Sequence, residues 1–529
     1  MQIGGTPGAA IAIIHDGALI HSEYIGYRDT SAQKLLIDEE TIFPCASLTK
    51  AVVSAAVADC IENGKGDGKF GWDTPVREIL PEFHTKSETL RESMTIVDCL
   101  SHRSGMQNSL YYMGSHNDMI IPIEKSMDFI NDLKQVKPFR KNFSYNNLGY
   151  EIAGHVLKRL TGESWEDTIR SSVLEPLGMT RTGTEASFGD HENVAKTYQA
   201  RDDASTIDAI PMMFGGNVVG GPAAAMWSCI KDLVKLYTAF LVSWKDQLES
   251  GKSSTPDYPL KQVPFLFSEK IPMNPMPDCK TGYALGWARV QTPGPMGEHG
   301  INPGLMRDQK MPDVARGHET TLILYHQGSM IGNLAAVNLI PSTQGAVIVL
   351  TNSFALNDAA DWLGQLYLEA YLGVNDRNDY VALAEETAGS VLLWHPRLEA
   401  ELQSKRKPGT TPRVLSEYEG EYYNDAKTMM IKVFVEGVGE KSSLKMAFQG
   451  LSTEEFPLKH YQDDIFTWLL QRNEFVERGR YTDYNADYFM IYFEKDVEAG
   501  KVDEAVKPIT HLTWWHDPEI PSEKFWKVS

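Results

Sequence analysis

The residues best suited to covalent chemistry are a serine and a lysine one helical turn apart, Ser47 and Lys50. A helix brings positions i and i+3 to the same face, so the Lys50 amine can lie beside the Ser47 hydroxyl. The residues that follow Ser47 are apolar nearly all round, which predicts a buried helix. A lysine in an apolar wall loses its hydration, and its pKa falls toward the range of a general base. The spacing therefore predicts a serine nucleophile activated by a lysine. The alternative is that Ser47 only caps a core helix.

The same Ser-x-x-Lys spacing also occurs at other places in the chain, among them those that begin at Ser228, Ser404 and Ser442. Spacing alone therefore does not identify a nucleophile. We expect Ser228 to be the N-cap of an amphipathic helix, where a serine is common for structural reasons. Ser404 lies in a polar linker and Ser442 in a turn between strands. Only Ser47 opens a buried helix, so the context favours Ser47.

Two further segments carry groups that could assist a serine. Tyr145 and Asn147 precede a second helix; a tyrosine can relay the serine proton, and an amide can hold the lysine in place. His326, Gly328 and Ser329 stand at the end of a strand, where a glycine lets the backbone approach a substrate closely. Both segments also have a purely structural interpretation. The first is then an aromatic loop followed by an Asn cap of the helix, and the second is an ordinary end of a strand.

The composition argues against several classes of function. The 529 residues carry a formal charge of -21, so no net basic field attracts nucleic acid. The five cysteines form no CxxC pair, and no H-E-x-x-H or G-x-S-x-G occurs, so a metal site and an α/β-hydrolase elbow are not expected. No apolar run is long enough to cross a membrane. Unpaired thiols suit a reducing compartment, which predicts a cytoplasmic protein.

The elements around these residues predict an α/β fold. Residues 8–29 should form a hairpin around Asp16-Gly17, a strong turn signal. Helices are expected from residues 47, 147 and 228, and another at 358–371. Strands return at 283–290, 320–328, 333–340 and 345–352. Strands at both ends with helices between them predict one α/β domain over 1–375, with a helical subdomain at about 75–215.

The composition changes after residue 375. Residues 376–413 should form a helix and a polar linker. Short aromatic and β-branched runs separated by turns then predict a small all-β domain over 414–529, a barrel or a sandwich.

Taken in order, these segments resemble the serine β-lactamase and penicillin-binding-protein-like hydrolases. The likeness is greatest to the branch of class C β-lactamases, family VIII esterases and D-aminopeptidases, and it covers roughly residues 5–375. It is carried by six segments: TIFPCASLTK at 41–50, CLSHRSG at 99–105, FSYNNLGY at 143–150, EPLGM at 175–179, YALGW at 283–287 and HQG at 326–328.

The resemblance implies an antiparallel sheet flanked by helices, with a helical subdomain, and a chemistry that needs no cofactor and no metal. It implies that Ser47 is acylated and that Lys50 and Tyr145 share the acid and base work. The resemblance also implies that Asn147 orients Lys50 or the substrate. The backbone N–H groups of Ser47 and Ser329 would form the oxyanion hole, and Gly328 would let its strand lie against the acyl group.

Two departures from the family pattern stand out. His326 replaces the usual lysine of the third motif, and a mostly neutral imidazole attracts a carboxylate less than an ammonium does. We therefore expect esters and uncharged amides to be better substrates than penicillins. The helix that normally precedes the first strand is missing, which predicts an incomplete N-terminus.

The sequence thus predicts a serine hydrolase that acts on a small-molecule ester, lactone or amide through an acyl-enzyme. An acyltransferase would need the same residues, and a non-catalytic binding protein on the same fold is the third hypothesis. No nucleic acid or membrane partner is expected. The C-terminal unit resembles the β-barrel domains of D-aminopeptidase-like members. The sequence leaves three roles open for this domain: a substrate gate, a homodimer contact or a stabilising cap.

Overall fold

An antiparallel sheet organises the first 375 residues. The structure is a computed structural model that describes residues 1–31, 34–211, 218–274, 281–306, 310–482, 484–495 and 508–528. In these ranges the sheet has nine strands, in the order β3-β2-β1-β9-β8-β7-β6-β5-β4. Their bounds are β1 Gly8–His15, β2 Ala18–Asp29, β3 Leu35–Leu36, β4 Ile271–Pro272, β5 Thr281–Tyr283, β6 Ala288–Thr292, β7 Thr321–Met330, β8 Asn333–Ile340 and β9 Gly345–Thr351.

The central strands are covered on both faces. Every residue of β8 and β9 is buried, which explains why these strands are continuously apolar rather than alternating. Ala346, Ile348 and Leu350 of β9 point into the larger core. Val347 and Val349 point to the opposite face, into a second core that also contains Leu368. The sheet is therefore the middle layer between two groups of helices.

Fifteen α-helices are found in the described residues, most of them before β4. Their bounds are α1 Thr49–Glu62, α2 Val76–Ile79, α3 Glu88–Ser93, α4 Ile96–Leu100, α5 Ser126–Asp132, α6 Leu148–Thr161, α7 Trp165–Ile169, α8 Gly221–Ala224, α9 Ile230–Ser250, α10 Val263–Phe267, α11 Asn302–Leu305, α12 Ala359–Tyr371, α13 Tyr380–Val391, α14 Trp394–Lys405 and α15 Arg472–Glu477.

The last 110 residues close into a barrel, and the predicted α/β fold with a C-terminal β-barrel is confirmed. In the described ranges the barrel has eight strands, and β10 pairs with β17 to close it. The strands are β10 Gly420–Tyr423, β11 Met430–Glu436, β12 Ser443–Phe448, β13 Glu455–Gln462, β14 Ile465–Thr467, β15 Met490–Glu494, β16 His511–Trp514 and β17 Glu523–Val528.

Several local predictions differ from the structure. The strand expected at 283–290 is broken by a turn at Gly286, which packs so closely on α1 that a Cβ there would lie 2.9 Å from the Lys50 carbonyl oxygen. Ser228 is not the N-cap of α9: Cys229 takes that position, and the Ser228 hydroxyl contacts the Thr182 hydroxyl at 2.7 Å. Residues 75–215 also contain short strands at Tyr198–Ala200 and Thr206–Asp208, and residues 212–217 lie outside the described ranges.

The barrel is tied to the first part of the chain by hydrogen bonds, and a buried ion pair within the barrel holds one of the acceptors. Glu454 and Arg480 lie 2.9 Å apart inside the protein. The other Glu454 oxygen accepts a hydrogen bond from the Ser115 N–H, and the His116 N–H donates to the Arg478 carbonyl. The loop that follows residue 113 is therefore held by the barrel. Among the described residues, no helix has the length and apolar character needed to cross a bilayer.

Candidate active site

Ser47 lies in a tight turn that runs directly into α1. The turn spans Ala46–Leu48, and Ala46 has a φ of 46°, a left-handed conformation that only the surrounding structure can impose on a residue with a Cβ. The Thr49 hydroxyl donates to the Ala46 carbonyl at 2.6 Å and accepts from the Met226 N–H at 2.9 Å. These two hydrogen bonds fix the backbone of the turn. The Ser47 hydroxyl lies on the side of the turn that stays accessible.

Lys50 is buried beneath Ser47, one turn along α1. Its Nζ lies 2.9 Å from Ser47 Oγ, from Asn147 Oδ1 and from the Ala223 carbonyl oxygen. No carboxylate forms an ion pair with Lys50 in the described part of the chain. Burial without a counter-charge lowers the pKa of Lys50 well below its ordinary value, because desolvation disfavours the charged form.

The three contacts of Lys50 fit a neutral amine. Asn147 Oδ1 and the Ala223 carbonyl can only accept hydrogen bonds, so each takes one amine N–H. In the neutral form that burial favours, the remaining lone pair of Lys50 Nζ, which lies 2.9 Å from Ser47 Oγ, can accept the serine proton. The network therefore aims a base at the Ser47 proton.

Tyr145 lies on the other side of Ser47. Its hydroxyl donates to Ser47 Oγ at 3.1 Å, and its ring packs on the His102 ring at a centroid distance of 4.2 Å. Burial raises the pKa of Tyr145 well above its ordinary value. The phenol therefore keeps its proton at neutral pH, which suits a proton donor better than a base.

A loop ahead of α6 fixes Tyr145 and Asn147. The Asn146 N–H donates to His102 Nδ1 at 3.0 Å, and the Asn146 amide donates to the carbonyls of Met106 and Gln107. Burial lowers the pKa of His102 well below its ordinary value, so the ring is neutral and accepts this bond. In the sequence, His102 is marked only as part of the segment CLSHRSG at 99–105, with no role of its own.

Strand β7 lies against the turn that carries Ser47. A Cβ at Gly328 would lie 2.3 Å from the Cys45 carbonyl oxygen, so only glycine allows the approach. The Asn333 amide at the start of β8 donates to the Pro44 carbonyl at 2.9 Å and secures the contact from the other side. Ser329 follows Gly328 and pairs with Leu334; its part in an oxyanion hole stays a prediction.

Comparison with known proteins identifies the family. The family model described as Beta-lactamase matches residues 1–371. The chain belongs to the beta-lactamase family. An unguisins hydrolase from Aspergillus violaceofuscus is 26% identical over 88% of this chain and 80% of its own length. Penicillin-binding protein 4 from Amycolatopsis lactamdurans is 29% identical over 34% of this chain and 45% of its own length.

A solved structure shares the fold of this beta-lactamase-family protein along nearly the whole chain. It is the octameric penicillin-binding protein homologue from Pyrococcus abyssi, with a TM-score of 0.55 and 20% sequence identity. The match covers 98% of this chain and 96% of the other. The likeness therefore includes the part that follows residue 375.

The histidine at the third motif of this family member, His326, is engaged on both ring nitrogens. Nδ1 donates to the Gln327 carbonyl at 2.6 Å, so Nε2 accepts from the Tyr283 hydroxyl at 2.9 Å. The residue is only 1% exposed, and burial lowers its pKa well below the ordinary value. A substrate that bound to the His326 ring would have to replace one of these two bonds.

His299 is a site residue that the sequence analysis did not single out. Its ring stacks on Tyr145 at 5.8 Å and meets His326 edge-on at 4.5 Å. Burial lowers the pKa of His299 to about 3, with a smaller effect from Lys50. Neither ring nitrogen has a hydrogen-bond partner in the described part of the protein. His299 lies between β6 and α11 and belongs to no motif, so no sequence signal marked it.

A cavity of about 400 Å³ opens beside Tyr145. Its walls include Asn108, Phe143 and Ser144 from the family domain, and Tyr484 and residues 516–519 from the barrel. Among the predicted site residues, hydrogen bonds bring together Ser47, Lys50, Tyr145 and Asn147. Gly328 and Ser329 lie on the adjoining strand β7, and the His326 ring lies next to the Tyr145 ring.

Proposed function

We propose that this protein is a serine hydrolase that forms an acyl-enzyme on Ser47 with an ester, lactone or amide. One observation carries the proposal: the Ser47 oxygen lies within hydrogen-bond reach of both a buried lysine and a protonated tyrosine. A nucleophile, a base and an acid in mutual contact are what acyl transfer needs.

The first half-reaction follows from the contacts of each group. Ser47 Oγ attacks the acyl carbon while its proton passes to the neutral Lys50 amine. The developing oxyanion is expected to receive hydrogen bonds from the backbone N–H groups of Ser47 and Ser329. The bond to the leaving group then breaks as Tyr145 gives that group its proton, and the proton now on Lys50 replaces the one Tyr145 lost.

Hydrolysis reverses these roles with water in place of the leaving group. A water molecule attacks the acyl carbon and gives up a proton, and the acid product departs as Ser47 regains its own. The similarity to an unguisins hydrolase over most of both chains supports water as the final acceptor. Transfer to a small-molecule acceptor would use the same residues, and product analysis with and without an added alcohol or amine separates the two.

The decisive experiment is labelling by a fluorophosphonate probe, read by intact mass and peptide mapping. We expect one adduct, on Ser47, and none in Ser47→Ala. Ser228→Ala is the matched control because Ser228 has the same Ser-x-x-Lys spacing but a buried hydroxyl that contacts Thr182; it should label like the wild type. Full esterase activity in a folded Ser47→Ala variant would overturn the proposal.

A further inference from the structure

The turn between β7 and β8 comes directly after the residue expected to complete the oxyanion hole. Ser329 is the penultimate residue of β7. Met330 pairs with Asn333 across the two residues of the turn, Ile331 and Gly332. A backbone N–H stabilises an oxyanion only from a fixed position, so the end of this strand must be held in place. The contacts of the turn therefore bear on the oxyanion hole.

Asn117 contacts this turn from a loop outside the sheet. Its Nδ2 donates to the Ile331 carbonyl at 2.7 Å and to the Ile210 carbonyl at 2.8 Å. Carbonyl oxygens can only accept hydrogen bonds, so these two partners fix the orientation of the amide. The side chain is only 5% exposed, and its Oδ1 has no hydrogen-bond partner in the described part of the protein. The amide therefore serves this region through its N–H groups.

The backbone that carries Asn117 is strained, and the barrel holds it. His116 and Asn117 have φ values of 56° and 58°, in the left-handed region. Such residues persist only where surrounding contacts impose the conformation. Here the His116 N–H donates to the Arg478 carbonyl at 2.7 Å, and the Ser115 N–H donates to Glu454. Both acceptors belong to the C-terminal part of the chain, which thereby fixes the loop that aims the Asn117 amide.

Two other contacts of the turn hold it less directly. A Cβ at Gly332 would lie 2.6 Å from Thr197 Cβ, so the turn packs closely on that side chain. The Tyr481 hydroxyl donates to Met330 Sδ at 3.6 Å, and a thioether is a weak acceptor. The Asn117 amide, by contrast, makes a short hydrogen bond to a backbone atom of the turn itself.

Building on the proposed function, we infer that Asn117 is a positioning residue for the oxyanion hole. Through the Ile331 carbonyl it fixes the end of β7, and with it the Ser329 N–H. The residue acts through the turn and not on the substrate. Loss of the amide frees the turn and lets the Ser329 N–H leave the place where negative charge develops. Because that charge exists only in the transition state, kcat should fall while KM changes little.

Two esters with the same leaving group test the inference: 4-nitrophenyl butanoate and its thiono analogue, in which sulfur replaces the carbonyl oxygen. Sulfur accepts hydrogen bonds weakly, so a well-placed oxyanion hole favours the oxygen ester. In Asn117→Gly the ratio of the two kcat/KM values should fall about ten-fold or more. Glycine adopts a left-handed φ without strain, so this variant removes the amide alone. A general loss of folded enzyme would lower both values equally and leave the ratio unchanged.

His116→Gly is the matched control. It makes the same change at the neighbouring left-handed residue and leaves the Asn117 amide in place, so the ratio should equal that of the wild type. Asn117→Asp is the second variant. It keeps the size of the side chain and replaces the N–H groups by an acceptor oxygen, so the ratio should fall as in Asn117→Gly.

The outcomes separate this inference from the proposed function. A wild-type ratio in a folded Asn117→Gly or Asn117→Asp variant would overturn the positioning role and leave the proposed function standing. If neither ester acylates Ser47 in the wild type, the proposed function fails and the positioning role fails with it. A wild type that acylates Ser47 but does not favour the oxygen ester overturns the positioning role, whichever variants fold.

Discussion

Lys50 is the residue on which the chemistry of the site depends. Its amine has three partners and no counter-ion among the described residues, and burial lowers its pKa well below the ordinary value. Three imidazoles of the same cluster, His102, His299 and His326, also have lowered pKa values because of burial. The site is thus a set of neutral nitrogen bases, of which only Lys50 touches Ser47.

The first prediction at this scale concerns pH. Lys50 must be neutral to accept the Ser47 proton, so kcat/KM should rise with pH as Lys50 loses its proton and then level off. Because the pKa of Lys50 is lowered, this rise should end well below pH 10.5. The pH profile of kcat/KM for a neutral aryl ester measures it. His102→Asn should leave the midpoint of the rise unchanged, and a shift in that variant would assign the rise to the imidazole instead.

The second residue-scale prediction concerns substrate charge. Since burial favours the neutral forms of Lys50 and of the three imidazoles, these bases attract a carboxylate less than exposed cations would. The wild type should therefore hydrolyse a neutral aryl ester with a higher kcat/KM than a cephalosporin. Steady-state kinetics with both substrates is the check, and a preference for the cephalosporin by orders of magnitude would restore a β-lactamase function.

At the scale of elements, the site exists because β7 and the Ser47 turn touch. The contact needs a residue without a Cβ at Gly328. It is completed by the Asn333 amide, which connects β8 to the segment just before Ser47. On the far side, Gly286 lets the turn between β5 and β6 pack against α1 at Lys50. Two glycines on neighbouring hairpins therefore set how closely the sheet approaches α1.

Gly328→Ala tests this contact. The new methyl would lie 2.3 Å from the Cys45 carbonyl oxygen, so the strand or the turn must move. A displacement of about 1 Å at the nucleophile is expected to lower kcat/KM by about 100-fold. Gly304→Ala is the matched control, because a Cβ there has no neighbour within 4 Å. Equal activity of the two variants would show that β7 does not position Ser47.

At the scale of the whole molecule, a polar connection inside the protein joins the barrel to the family domain. Arg480 lies over the rings of Phe448, Phe456 and Trp468 and pairs with Glu454. Glu454 also accepts the Ser115 N–H. The barrel thereby holds the loop that follows residue 113.

Glu454→Gln measures that connection. Arg480 would remain buried without a charged partner, and the expected loss of stability is about 3 kcal/mol or more. Glu436→Gln is the control, since Glu436 is 57% exposed and its pair with Lys445 should contribute less than about 1 kcal/mol. Thermal unfolding of the full chain gives the comparison. A midpoint for Glu454→Gln equal to that of the control would show that the buried pair does not hold the barrel.

Much of this protein was readable from the sequence because the decisive signals are local. A helical turn sets the distance from Ser47 to Lys50 whatever the rest of the fold, and apolar residues around them predict burial. Alternating apolar runs and turn residues predicted the first hairpin and the C-terminal β structure. These inferences need only periods of two and 3.6 residues and the conformational preferences of glycine and aspartate.

The family resemblance implied that Tyr145 and Asn147 act together with Ser47 and Lys50, and the tertiary structure decided which other distant residues meet. Ser228 was expected to cap α9, but its neighbour Cys229 has that position because the serine belongs to a short strand beside Phe43. His299 carried no motif and yet stacks on Tyr145. Asp517 stands 470 positions after Ser47 in the sequence, and the barrel places it in the wall of the neighbouring cavity. Such proximity comes from the packing of whole elements, and no local pattern of residues encodes it.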